Sequence, residues 1–185
     1  IHVDVSDGVF TPWKTWATVP IIKKIVSSCP GLKLAVHLMV ENPDNIIGDW
    51  VESGINGIIV HCERIKNAKS FYESCLKNGV KPMIAANIET PISALSEYGD
   101  FKDFVLLAVS AGPSGQEIDL NVIPKIAELR KIRPDATIIV DGGITPETIK
   151  LIKSAGADEA TSGTHIFSSS SPEKAYSELV GLAEQ

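Results

Sequence analysis

The chain has 185 residues, 44% of them hydrophobic, which is enough for one substantial core and short for two, so a single domain spanning residues 1–185 is expected. A formal net charge of −6 and a pI near 5.2, with basic residues scattered among acids as in Glu128-Leu129-Arg130-Lys131, exclude a general nucleic-acid surface. Cys29, Cys62 and Cys75 are odd in number and lack paired zinc spacing, and there is neither a basic-then-apolar leader nor a long apolar run; a soluble protein of a reducing cytoplasm, without membrane contact, is expected.

Short β-branched runs alternate with longer helical stretches from the first residue onward, the pattern of βα units around a parallel sheet. Strands are predicted at Ile1 to Val5, Lys33 to Leu38, Gly57 to His61, Lys81 to Ala85, Phe104 to Ala108, Thr137 to Val140 and Glu159 to Thr161. Helices are predicted between them, at Val19 to Ser28, Asp44 to Ser53, Asn67 to Asn78, Pro91 to Tyr98, Leu120 to Ile132, Pro146 to Ser154 and Pro172 to Glu184. Thr145-Pro146-Glu147 and Ser171-Pro172-Glu173 each offer a capping hydroxyl, a first-turn proline and an acid, while Gly54, Gly79 and Gly156 follow helices where a left-handed cap favours glycine. The pattern fits an open doubly wound sheet or a (β/α)8 barrel that lacks its first unit, since the chain opens on Ile1 directly into a strand.

Both architectures gather ligands at the carboxyl ends of their strands, and chemistry-bearing residues stand there. His2 and Asp4 lie in Ile1-His2-Val3-Asp4-Val5, His37 in Val36-His37-Leu38, and Asp141 in Val140-Asp141-Gly142-Gly143. Side chains two apart on a strand share a face, so His2 and Asp4 form a chelating pair; with His37 and Asp141 they make a two-imidazole, two-carboxylate set suited to a divalent transition ion. Zn2+ or Fe2+ fits that set best, with Mn2+ or Co2+ as alternatives. Read singly, each of the four is an ordinary hydrogen-bonded strand-end residue; their coincidence favours a metal. His61 is expected to stand behind the ligands or toward substrate rather than to be a fifth ligand, and His165 to be structural. The loops Ser110-Ala111-Gly112-Pro113-Ser114-Gly115-Gln116, Asp141-Gly142-Gly143-Ile144 and Ser162-Gly163-Thr164-His165 form a second constellation, in which glycines let backbone amides approach an anion such as phosphate.

These residues resemble the ribulose-phosphate 3-epimerase family along nearly the whole chain. His2-Val3-Asp4-Val5-Ser6-Asp7-Gly8-Val9-Phe10-Thr11-Pro12 is similar to the family's second-strand signature, and His37-Leu38-Met39-Val40 with Asn42-Pro43 to its third. Val140-Asp141-Gly142-Gly143-Ile144, and Gly156-Ala157-Asp158 through Gly163-Thr164 to Ile166-Phe167, resemble the seventh and eighth. The resemblance implies a (β/α)8 TIM barrel of the ribulose-phosphate-binding type lacking its first β-strand and helix. It implies that His2, Asp4, His37 and Asp141 bind the metal and that Asp4 and Asp141 are the acid/base pair. Substrate would touch His37 and Met39, with its phosphate near Gly112, Pro113, Ser114, Gly115, Gly142, Gly143, Gly163 and Thr164.

The implied reaction removes the C3 proton of a ketose 5-phosphate and returns one on the opposite face, interconverting D-ribulose 5-phosphate and D-xylulose 5-phosphate. Ser6 and Leu107 stand where the family usually has Met, implying a more polar pocket; Trp13 replaces a usual Asn, and Ser110 to Ser114 depart from an Asn-Pro-Gly-Phe-Gly pattern, which leaves room for a related sugar. The alternative reading is a catalytically impaired phosphate-binding barrel without epimerase activity. A barrel decarboxylase or aldolase would want a lysine amid the strand-end acids, whereas Lys33 and Lys81 begin strands. The expected partner is a small-molecule sugar phosphate and the expected assembly a homodimer; the edge left by the missing unit is expected to be covered by another chain, by dimer exchange or by residues beyond those of this sequence.

Overall fold

A computed structural model describes residues 1–184. The chain divides into two compact units, one of residues 1–85 with 97–101, the other of residues 86–96 with 102–185.

The first unit contains β1 (His2–Ser6), α1 (Val19–Ser28), β2 (Ala35–Met39), α2 (Ile47–Val51), β3 (Gly57–His61), α3 (Ala68–Lys77) and β4 (Lys81–Ala86). Its strands pair in parallel in chain order, β1 on β2, β2 on β3 and β3 on β4. Val36, Leu38, Ile58, Val60 and Ile84 are fully buried, so β2 to β4 carry near-continuous apolar runs rather than an alternation, as strands covered on both faces do. The second unit contains β5 (Asp103–Leu107), α4 (Val122–Ile132), β6 (Thr137–Asp141), α5 (Thr148–Ala155), β7 (Glu159–Thr161), α6 (Thr164–Phe167) and α7 (Pro172–Glu184). Here β5 pairs with β6 and β6 with β7, again in parallel, over a core that includes Phe104, Leu106, Ile126, Leu129 and Ile138. The βα alternation expected of the barrel class thus runs through both units, with seven strands among the described residues.

Two predicted helices are shorter than expected. The stretch from Asp44 to Ser53 is a 3-10 turn, Pro43–Asn45, followed by α2, because the Asp44 carboxylate accepts from the distant amides of Lys66 (3.0 Å) and Asn67 (2.9 Å) instead of capping its own helix. Between Pro91 and Tyr98 only Ile92–Leu95 coils, as a 3-10 turn; the Ser96 hydroxyl donates to the Ser93 carbonyl, the local competition that keeps serines from extending helices. At α5 the expected cap is formed: the Thr145 hydroxyl accepts from the Thr148 amide at 3.3 Å while the Thr148 hydroxyl accepts from the Thr145 amide at 2.8 Å. Gly156 ends that helix at φ +108°, in the left-handed region a glycine supplies without strain.

The loop after β1 is tied down by Asp7. Its Oδ1 accepts from the amides of Val9 (2.8 Å) and Phe10 (3.0 Å), and its Oδ2 from the amide of Glu41 (2.8 Å), just beyond β2. Partial burial pushes the carboxyl upward, but the amide bonds from Glu41, Val9 and Phe10 outweigh it and hold Asp7 below its ordinary value. A depressed carboxylate contributes stability that is fully present above the unfolded value, about 3.9, and is lost as pH falls through the lower folded one. Asp7→Asn should therefore cost about 1–2 kcal/mol at pH 7, and urea titrations at a series of pH values should show its gap from wild type closing below about pH 4. Leu106→Ala, at a fully buried site on β5, should lower stability by about 2–5 kcal/mol, read as a urea midpoint shift at unchanged slope.

Candidate active site

Period-two geometry puts His2 and Asp4 on one face of β1, and the parallel register seats Asp4 directly beside His37 of β2. The Nε2 of His2 lies 3.0 Å from Asp4 Oδ1, and the Nδ1 of His37 lies 3.3 Å from the same oxygen. The two imidazoles meet edge to face, centroids 5.3 Å apart, and one ligand atom from each of the three residues lies within 4.8 Å of the others. His37 is buried, whereas the Asp4 side chain is 46% exposed. Burial raises the Asp4 carboxyl, but the His2 and His37 imidazoles beside it override burial and hold the group well below the usual carboxylate range. Two imidazole nitrogens and an ionised carboxylate converging on one point, with no thiolate among them, form a His/Asp group that could hold a divalent metal ion.

Behind His37 lies a contact the sequence did not resolve. The Nε2 atoms of His37 and His61 are 2.9 Å apart, their rings stacked at 12°, and the Nδ1 of His61 lies 3.1 Å from Glu63 Oε2. His61 therefore packs directly against His37. Glu63 was missed, although an acid two residues after a strand-end histidine repeats the spacing that made His2 and Asp4 conspicuous. Met39, at the end of β2, is buried opposite Ser6. The Ser6 hydroxyl is engaged by the loop after β1, donating to the Trp13 carbonyl at 2.6 Å and lying 2.7 Å from the Thr11 hydroxyl, so Ser6 holds a loop rather than only adding polarity. Trp13 and Trp16, on that loop, are exposed, while Trp50 is buried in α2.

In the second unit Asp141 is the last residue of β6, in register with Leu107 of β5. It is followed by Gly142 (φ +103°) and Gly143 (φ +67°), where an added Cβ would fall 2.4 Å from the Val109 side chain and 2.5 Å from the Ile118 main chain respectively. Neither position has room for a side chain, and neither backbone conformation suits one. The loop after β5 carries Gly112 (φ +145°), Pro113, Ser114 and Gly115 (φ +86°), and is braced by the Gln116 amide, which donates to the carbonyls of Ser110 and Pro113, each at 2.8 Å. A Cβ on Gly115 would meet the Thr164 side chain at 3.8 Å, and the Ser162 hydroxyl donates to the Ile144 carbonyl at 3.2 Å. The three glycine loops named from the sequence thus converge, with Gly163 and Thr164 opening α6, the short helix that also holds His165. A lysine of α4 does reach the segment that follows β4 in the chain: Lys125 Nζ donates to the carbonyls of Asn87 (2.6 Å) and Ile88 (2.8 Å).

Among the described residues Cys29, Cys62 and Cys75 form no disulfide, and burial pushes the Cys75 thiol up to about 12. No helix among them is long and apolar enough to cross a membrane.

Known proteins resemble this chain at two levels. In fold, it superposes on 3-hexulose-6-phosphate synthase from Salmonella typhimurium with a TM-score of 0.76 at 18% identity, covering 99% of this chain and 87% of that one. It likewise superposes on KGPDC from Streptococcus mutans, with a TM-score of 0.70 at 12% identity over 98% and 84% of the two chains. At such low identity these likenesses carry the architecture alone, a (β/α) barrel. In sequence, it is 35% identical over 187 residues to ribulose-phosphate 3-epimerase of Bacillus subtilis (strain 168), spanning 98% of this chain and 85% of the relative. Residues 1–167 match the profile of the Ribulose-phosphate 3 epimerase family, and it is to this family that the chain belongs.

Proposed function

We propose that this protein is a divalent-metal-dependent 3-epimerase that interconverts D-ribulose 5-phosphate and D-xylulose 5-phosphate, or a related ketose phosphate, by moving the C3 proton between Asp4 and Asp141. The observation that carries the reading is the convergence of His2, Asp4 and His37 in a chain of this family. Membership makes the chain an isomerase of the epimerase class. The match of one family profile to residues 1–167 supports reading the whole as one barrel domain.

Asp141, at the carboxyl end of β6, is proposed as the fourth ligand and the second acid/base group. The donor chemistry fits Zn2+ or Fe2+, and Mn2+ or Co2+ as alternatives. A bound divalent ion would supply positive charge to the oxygens at C2 and C3 as negative charge develops there. Asp4, kept ionised by its histidines, is suited to receive the C3 proton. Asp141 in its acid form would return a proton to the opposite face, and the roles exchange in the reverse direction. His37 and Met39 would border the sugar. The amides around Gly112, Ser114, Gly115, Gly142, Gly143, Gly163 and Thr164, with Pro113 shaping the loop, would receive the phosphate, for which the convergence of the three loops is the support. A homodimer is the proposed assembly, supported by the exposure of Trp13 and Trp16.

Elemental analysis should find about one divalent ion per chain. In heavy water, the metal-loaded protein should place deuterium at C3 of ribulose 5-phosphate and yield xylulose 5-phosphate, with Asp141→Asn slower by about 100-fold or more. Tight binding of the sugar phosphate without C3 exchange would replace this proposal with the non-catalytic phosphate-binding barrel.

A further inference from the structure

A histidine that ligates a metal must present a bare nitrogen, and which nitrogen is bare depends on what the other one meets. For His37 the question is settled two residues away. An ionised Glu63 can only accept, so its contact with His61 Nδ1 at 3.1 Å places a proton on that nitrogen. Neutral His61 then has a lone pair on Nε2, and the nitrogen facing it at 2.9 Å, His37 Nε2, has to be the donor. With its proton on Nε2, neutral His37 turns an Nδ1 lone pair toward the side where Asp4 and His2 stand. We infer that Glu63, acting through His61, fixes His37 in the Nε2-protonated tautomer, which makes Glu63 and His61 positioning residues for the cation that His2, Asp4 and His37 hold. The inference rests on the metal-dependent reading above and adds two residues to it.

The opposite assignment is disfavoured at the Glu63 end. It would set the His61 Nδ1 lone pair against the Glu63 carboxylate, two acceptors 3.1 Å apart. Asp4, 3.3 Å from His37 Nδ1, pulls the other way, but it is shared with His2 and is 46% exposed, against 19% for Glu63. Water weakens the Asp4 pull more than that of Glu63. His37 and His61 are each only 1% exposed, and Phe10 lies with its ring centroid 4.7 Å from that of His61, so solvent does not readily take over the bond between the rings. The effect is that of a carboxylate orienting a metal-bound imidazole, transmitted through one additional ring.

Ring-nitrogen NMR on the metal-free wild type at pH 8 should show His37 protonated on Nε2 and His61 on Nδ1; protonation of His37 on Nδ1 would overturn the inference, with no variant needed. Zinc affinity by chelator competition should fall about 10–100-fold in Glu63→Gln and recover in part in Glu63→Asp, with folding checked by circular dichroism. Wild-type zinc affinity in a folded Glu63→Gln overturns the positioning role and leaves the epimerase reading standing. A wild type that takes up no zinc, iron, manganese or cobalt overturns the metal reading itself, whatever tautomer the spectrum shows.

Discussion

The parallel register between β1 and β2 is the constraint on which the site depends. Because side chains on a strand alternate with a period of two, pairing Asp4 with His37 sends His2, Asp4 and His37 to one face, and the pairing of His37 with Ile59 carries the pattern onward to His61 at the end of β3. A slip of one residue in either strand would turn its ligands to the opposite face and dismantle the cluster. The register is held in turn by what surrounds it. Val36 and Leu38 are fully buried on the other face of β2, and Asp7 ties the end of β1 to the amide beyond β2.

Electrostatics then distributes roles among similar groups. Asp4 stays ionised because the two imidazoles beside it outweigh its burial. The stacked imidazoles of His37 and His61 are held from both ends, by Asp4 on one side and Glu63 on the other, so a pair of buried rings sits between two carboxylates. The second unit is built differently. Its glycine loops bring main chain, rather than charged side chains, close together, an arrangement that suits a ligand carrying its own negative charge.

Much of this was legible in the residues. Asp141 stands at the end of β6 as expected, whereas His2 opens β1 and Asp4 and His37 lie mid-strand because those strands run on to Ser6 and Met39; α1 and β3 occupy the spans expected of them. What escaped the sequence was tertiary. Asp44 looks like a helix cap until its carboxylate is seen on the amides of Lys66 and Asn67, and Pro91 to Tyr98 looks helical until serine back-bonding restricts it to one turn. Glu63 carries a spacing signal, yet only the approach of His37 to His61 gives that signal meaning.

The two glycines after Asp141 differ in a way that bears on how this loop can change over evolutionary time. The space beside Gly142 is closed by the Val109 side chain, which could shrink by substitution, whereas the space beside Gly143 is closed by the main chain of Ile118. No replacement of Ile118 removes its own backbone. A side chain at 143 could thus be accommodated only by rerouting the neighbouring loop, which makes this position a fixed point around which the remaining loop residues are free to diversify.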